Sequence, residues 1–200
     1  MKKYTNSPNY ISAIIVAHGD CEKQIARHIK SNLRLNMYIH KRTTSIQING
    51  LLDELKTNFK DTQMIQRNDS IAVEVEKNKI KNLKIFTFMD TDDCSEKTRE
   101  RYKNRPLFEG YALRDYVVPI YMSPDLEHVL YECKLIPQIY KGHEKRKAYG
   151  KLFPITAAPK SGSKMNEMKK VSDILRPNKN TNMEIFIDYC IEQAESKKVI

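Results

Sequence analysis

The sequence predicts an α/β protein, and three stretches carry that expectation. Tyr10 to Ala17 is an apolar run followed by the turn His18-Gly19-Asp20 and an amphipathic helical pattern. Leu83 to Met89 is a second apolar run, rich in aromatic and β-branched residues, that ends in Asp90, Asp92 and Asp93. Tyr116 to Met122 is a third, followed by the helix-starting Ser123-Pro124-Asp125. Short buried strands that alternate with helices are the mark of the α/β class.

Taken in order, Met1–Asn9 is a polar lead-in and Tyr10–Ala17 the first strand. Asp20 is a good N-cap for a helix over Cys21 to Leu33, with Ile25, Ile29 and Leu33 as its buried stripe and Lys23, Arg27 and Lys30 outside. Asn36 to Arg42, through Met37, Tyr38 and Ile39, is a second strand. Thr43-Thr44-Ser45 then opens a helix to Phe59 with Ile48, Leu51, Leu52 and Leu55 inward. Those hydroxyls read either as a capping series or, beside Lys41 and Arg42, as a phosphate seat at a helix start.

Lys60 to Asn82 is polar and weakly periodic, an excursion with room for one short helix. Cys94 to Asn104 is charged and helical, and Pro106 to Tyr111 irregular. Pro119 inside the third strand asks for a sheet edge or a bulge. The helix after Asp125 turns Leu126, Val129, Leu130 and Cys133 inward. Pro159 to Lys164 reads as a loop, Met165 to Leu175 as a helix, and Thr181-Asn182 as the cap of a last helix buried through Met183, Phe186, Ile187, Cys190 and Ile191.

At 200 residues the chain makes one domain, with room for a small appendage. Its hydrophobic fraction of 40% and charged fraction of 30% suit a globular protein. No apolar run approaches the roughly 20 residues that span a bilayer. Met1-Lys2-Lys3 is followed by polar residues, so neither a membrane span nor a secretory leader is expected. Cys21, Cys94, Cys133 and Cys190 form no CxxC pair, which argues against a zinc ribbon or a disulfide scaffold and for reduced thiols in a cytoplasm. The net charge of +10 suits a polyanion such as nucleic acid, although Lys-rich proteomes give basic proteins of every function.

The chemistry centres on the acidic end of the central strand. While the chain stays extended, Asp90 and Asp92 point to one side, and like charges so close need a cation, a shared proton or free solvation. A hard divalent ion suits an oxygen-only cluster. Alternatively Asp92, Asp93 and Ser95 solvate the loop and cap the next helix. Ligands of parallel α/β sheets bind beyond the C-terminal strand ends, which brings Glu22 toward Asp90 and Asp92 and lets Glu127 join them. Cys21 and Cys94 flank this place, but acidic surroundings oppose a reactive thiolate. Lys141, His143, Lys145, Arg146, Lys147 and Lys151, interleaved with Tyr140 and Tyr149, read equally as a nucleic-acid patch or as a solvated loop.

Val16-Ala17-His18-Gly19-Asp20-Cys21-Glu22-Lys23 followed by Asp90-Thr91-Asp92-Asp93 resembles the Toprim domain of topoisomerases, primases and OLD nucleases. That pattern is an apolar strand ending in Glu-Gly, a further Glu at the helix start in the nuclease branch, and a strand ending in DxD. Met122-Ser123-Pro124-Asp125-Leu126-Glu127 is similar to the Asn-Pro-x-Phe-Glu motif of RloB-like and abortive-infection Toprim proteins. The resemblance covers about Ile11 to Leu130. It implies a parallel sheet of about four strands between helices, in a Toprim-like domain over 1–155 with a C-terminal helical extension over 156–200 packed on it. It also implies Mg2+ or Mn2+ at the C-terminal edge and metal-dependent cleavage of DNA or RNA, often in defence against phage and beside a partner protein.

Carried over by residue, His18, Glu22, Asp90 and Asp92 are the catalytic candidates. Glu22, Asp90, Asp92, Asp93 and Glu127 are the metal ligands. Lys41, Arg42, Lys141, Lys145, Arg146, Lys147 and Lys151 are the nucleic-acid-binding candidates, read from the charge pattern and not from the motifs. One residue departs from the pattern: His18 stands where the family has Glu. Histidine transfers protons near neutral pH but is not a hard ligand for Mg2+, which turns the expectation toward Mn2+ or toward a site that binds without cutting. Three functions remain in view: a Toprim-like nuclease, a catalytically silent nucleic-acid-binding or sensing subunit, and an α/β protein acting on a small phosphorylated ligand. Oligomeric state stays open.

Overall fold

The computed structural model describes residues 10–77, 79–155 and 161–196. Its centre is a four-stranded sheet of β1 (Ala13–Ala17), β2 (Met37–Ile39), β5 (Lys84–Asp90) and β6 (Val117–Met122), in the order β2-β1-β5-β6. All three pairings are parallel, with Ala13 opposite Met37, Ala17 opposite Phe88 and Asp90 opposite Met122. The architecture is therefore α/β with a parallel sheet, as the sequence predicts. β1 and β5 are covered on both faces, which is why AIIVA and KIFTFMD read as near-unbroken apolar runs rather than alternating ones.

The two faces carry separate cores. On one, Ile15, Phe86, Phe88 and Met122 pack with α1 (Asp20–Leu33), α5 (Leu126–Glu132), α7 (Ser161–Leu175) and α8 (Met183–Ser196). On the other, Ile14, Val16, Ile85 and Met89 pack with α2 (Ile48–Asn58), α3 (Thr62–Gln66) and α4 (Glu96–Lys103). Each large apolar side chain so buried contributes roughly 1.5–3 kcal/mol relative to exposure. The helix α6 (Gly142–Leu152) lies against α1 and reaches the first core through Tyr149.

β6 is an edge strand, which accommodates Pro119. That edge is covered by the segment before α8. Thr181 bridges to Met122, Ser123 N–H donates to the Asn180 carbonyl (2.8 Å), and the Asn182 side chain bonds both Tyr121 N–H (2.9 Å) and the Pro119 carbonyl (2.9 Å).

Several expectations need correction. α2 starts at Ile48 after Gln47, so Thr43-Thr44-Ser45 neither cap it nor form an anion seat; Thr44 Oγ1 instead accepts from Arg42 Nε at 2.8 Å. The excursion holds, besides α3, an antiparallel hairpin of β3 (Val75–Glu76) and β4 (Lys79–Ile80). Two-residue strands are too short to leave an alternation in the sequence. Ser161 to Lys164 are helical rather than loop; Pro159 and Lys160 lie outside the described residues. Lys23 is buried, not on the outer face of α1. No described helix is long and apolar enough to cross a membrane.

Candidate functional site

The order β2-β1-β5-β6 reverses direction between β1 and β5, and the acidic residues collect beyond the C-terminal ends of those strands. His18 continues the ladder past β1, its N–H donating to the Phe88 carbonyl at 2.7 Å. The chain then turns at Gly19 into α1, whose third residue is Glu22. The Glu22 carboxylate reaches back to accept the Gly19 N–H at 2.8 Å, satisfying a donor that the helix start leaves without a partner. A Cβ at position 19 would lie 3.2 Å from Glu22 Oε2, so the close approach favours glycine there.

Asp90 is the last residue of β5, and its Oδ1 accepts the Leu126 N–H at 3.0 Å, tying the strand end to the start of α5. Glu127 follows Leu126. Its Oε2 pairs with Lys145 Nζ at 2.8 Å, and its Oε1 is buried with no partner.

Glu22, Asp90 and Glu127 are all buried, at 2%, 6% and 6% exposure. Burial pushes Asp90 up to about 9, with the charges of Glu22 and Glu127 adding to it. Burial also raises Glu22, with Glu127 adding and a backbone hydrogen bond, His18 and Lys145 opposing. His18 Nε2 lies 4.0 Å from Asp90 Oδ2, and its Nδ1 is buried without a partner. Asp93 is half-buried, both of its carboxylate oxygens lack partners, and burial raises it against the pull of His18. Thr91 Oγ1 is orphaned too. Buried polar atoms without partners are uncommon in folded proteins and point to water or an ion in the working molecule.

Asp92 does not join this group. The strand stops at Asp90: Thr91 N–H makes the last ladder bond to the Met122 carbonyl (3.0 Å) and shares it with the Pro124 carbonyl (2.9 Å), and residues 91–94 then bend and turn. With the extended run broken, the two-residue spacing no longer aligns the side chains, and Asp92 is exposed. Ser95 caps α4, accepting from Thr98 N–H at 3.3 Å.

The basic candidates divide. Arg42 pairs with Glu54, Lys145 with Glu127, and Arg146 with Asp20. Lys41, Lys141, Lys147 and Lys151 are exposed and make no ion pair among the described residues. Tyr149 is buried at 1% exposure and offers no face to a base. Burial and the nearby Glu127 raise its phenol instead. Burial pulls Lys145 down, but its hydrogen bond and charge interaction with Glu127 outweigh that and raise it. Burial pushes Cys21 up to about 12 and also raises Cys94, so neither thiol is activated.

Sequence reasoning missed two supports of the site. Arg99 donates from Nη2 to the Thr91 carbonyl at 3.0 Å, holding the acidic turn. Buried Lys23 donates to the Arg42 carbonyl at 2.8 Å and faces Asp20 at 3.6 Å. Arg99 lies in no quoted motif, and Lys23, which ends the stretch Val16–Lys23, reads from helical periodicity as an outer-face residue.

Among the described residues, no three His, Cys, Asp or Glu side chains form a ready-made metal-holding group. The donor set is nonetheless all oxygen, and Mg2+ commonly takes one or two carboxylates and keeps several waters. The mutual repulsion and the orphaned oxygens of Glu127 and Asp93 fit a hard cation by chemistry. At a significant level, no protein-family model matches the chain, and neither does a curated protein or a solved structure; the Toprim resemblance rests on the residues quoted for it.

Proposed function

We propose that this protein is a metal-dependent nuclease of Toprim type, cleaving phosphodiester bonds in DNA or RNA with Mg2+ or Mn2+. One observation carries the reading. Buried carboxylates from the end of β5 (Asp90) and the first turns of α1 (Glu22) and α5 (Glu127) repel one another beside His18 and the unpartnered oxygens of Asp93. Folding such a group without a cation costs stability, which a functional site tolerates and a purely structural one does not need.

In this reading Glu22, Asp90 and Glu127 hold the metal. When bound, it would polarise a phosphodiester and lower the pKa of a water molecule. His18, at the rim and 4.0 Å from Asp90, is placed to move a proton. Lys145, beside Glu127, stabilises negative charge. Asp92 keeps at most an outer role because it is exposed. A part in phage defence with a partner protein rests on the family resemblance.

The test is cleavage of labelled DNA and RNA in Mg2+ and in Mn2+, with EDTA as control. Activity that needs the metal and falls at least ~100-fold in Asp90→Asn and in His18→Ala supports the reading; 100-fold is about 2.7 kcal/mol of barrier. Activity that survives Asp90→Asn sinks it.

A second reading is a nucleic-acid-binding subunit without catalysis. Its supporting observation is that Glu127 is already neutralised by Lys145 and no ready-made three-ligand group is present among the described residues. It requires salt-dependent binding that persists in Asp90→Ala, with no cleavage in either metal.

A further inference from the structure

Away from the carboxylates, a groove of about 710 Å³ runs between α1 and the free edge of β2. Among the described residues that line it are Arg27, Lys30, Arg34 and Lys41, and none is an Asp or Glu. Arg27 and Lys30, three residues apart, share one face of α1, and Arg34 is the left-handed residue that caps its C-terminal end. From Arg27 to Leu33 the helix rises about 9 Å. Lys41 follows β2 at the sheet's C-terminal edge. Arg27, Arg34 and Lys41 are exposed and make no ion pair among the described residues, whereas Arg42, Lys145 and Arg146 are spent on Glu54, Glu127 and Asp20. A concave surface with cations of one sign and no counter-charge concentrates anions.

The edge strand narrows the choice of anion. Asn36 and His40 bond to β1 through their backbone (Ser12 N–H to Asn36 carbonyl 3.0 Å, His40 N–H to Ile15 carbonyl 2.8 Å). With a period of two, Met37 and Ile39 turn their backbone groups outward. Lys30 Nζ donates to the outward Met37 carbonyl at 2.7 Å. A lysine folded over a three-residue edge blunts it against an added strand. An acidic peptide docking as a β-strand is therefore disfavoured, and a ligand held by charge alone is favoured. Tyr38 also lines the groove, with its ring turned edge-on to Phe59 of the second core. Arg27 is shared with the hollow between α1 and α6 that contains Asp20 and Arg146, beside the helix turn that carries Glu22.

We propose that this groove seats the phosphodiester backbone of a single-stranded nucleic acid, held by Arg27, Lys30, Arg34 and Lys41. The inference rests on nucleic acid being the ligand, as proposed above, but not on the metal or on cleavage.

The experiment measures anisotropy of a labelled mixed-sequence single-stranded oligonucleotide with the full chain in EDTA. The variants are Arg27→Gln/Arg34→Gln/Lys41→Gln and, on the exposed face of α6, Lys141→Gln/Lys147→Gln/Lys151→Gln. Four phosphate contacts give a wild-type affinity that falls about 50-fold between about 50 and about 200 mM salt. The groove variant is expected to bind at least about 10-fold more weakly at the lower salt and to lose most of that salt dependence. The α6 variant, whose lysines are also candidate contacts, is expected to lose less affinity than the groove variant. Three outcomes overturn the proposal: unchanged binding in the groove variant, loss in the α6 variant alone, or displacement of the oligonucleotide by polyglutamate of equal charge at equal concentration. Circular dichroism checks that both variants fold. Groove-dependent binding without cleavage by wild type in either metal would sink the nuclease reading and leave the groove. Cleavage by wild type with unaltered binding in the groove variant would sink the groove alone.

Discussion

Burial and two neighbouring carboxylates push Asp90 up to about 9, whereas an aspartate in an unfolded chain titrates near 4. A folded pKa above the unfolded one means that the native state holds the extra proton. The contribution is full below about pH 4 and is lost as the pH rises through about 9. In EDTA the melting temperature of wild type should therefore fall relative to Asp90→Asn over that window. At pH 8 the variant should melt higher, by about 2–4 °C for each kcal/mol relieved. Parallel pH profiles for the two proteins would contradict the assignment. Lys145→Met should act in the opposite direction, because it leaves Glu127 buried without its cation. We expect a loss of about 2 kcal/mol in urea unfolding, moderated by the partial exposure of the lysine. At this scale Glu22, Asp90 and Glu127 were legible, because strand ends and first helical turns can be placed from sequence. Asp92 was not: the chain bends directly after the last ladder bond, where Thr91 N–H also reaches the Pro124 carbonyl, a tertiary choice with no local signal.

At the scale of elements, the four strands of the main sheet and the stripes of α1, α2, α5 and α8 were readable from apolar runs and helical periodicity. What escaped were features set by long-range contacts. The β3–β4 hairpin packs Val75 and Ile80 against the second core, and its two-residue strands leave no pattern. Asn182, read as a cap for the last helix, also stitches that helix start to β6 through the Tyr121 N–H and the Pro119 carbonyl. Asn182→Ala removes both bonds and uncovers part of the edge, so a loss of about 2 kcal/mol in chemical denaturation is expected, at about 1 kcal/mol per bond. A change below about 0.5 kcal/mol would mean that water replaces the side chain there at no cost. Tyr102 plays a similar part inside the sheet, with its hydroxyl 2.6 Å from the Thr87 carbonyl and 3.0 Å from the Ile120 carbonyl, between β5 and β6.

Across the whole molecule, α7 and α8 cannot be treated as an ornament on the sheet. Met168, Leu175, Phe186, Ile187 and Cys190 belong to the same core as Phe86 and Phe88, and Phe186 meets both of those rings edge-on at 5.0 and 4.9 Å. A chain ending at Ile155 should therefore lose its cooperative unfolding transition; a sharp, two-state melt of that fragment would show that the sheet domain stands alone. The net charge of +10 is likewise distributed with consequence. Some cations are absorbed by carboxylates near the acidic site, as with Lys145 and Arg146, while Arg27, Arg34 and Lys41 around the α1–β2 groove make no ion pair among the described residues. Cation-demanding and anion-demanding surfaces on one molecule suit a protein that holds a metal and a polyanion together. The most direct test is calorimetric titration of Mg2+ and Mn2+, side by side, into wild type and Asp90→Ala. We predict saturable binding of at least one ion to wild type, Mn2+ the tighter if His18 is a ligand, and its loss in the variant. Equal heats from the two proteins, or none from either ion with or without an oligonucleotide present, would contradict a metal centre at Glu22, Asp90 and Glu127.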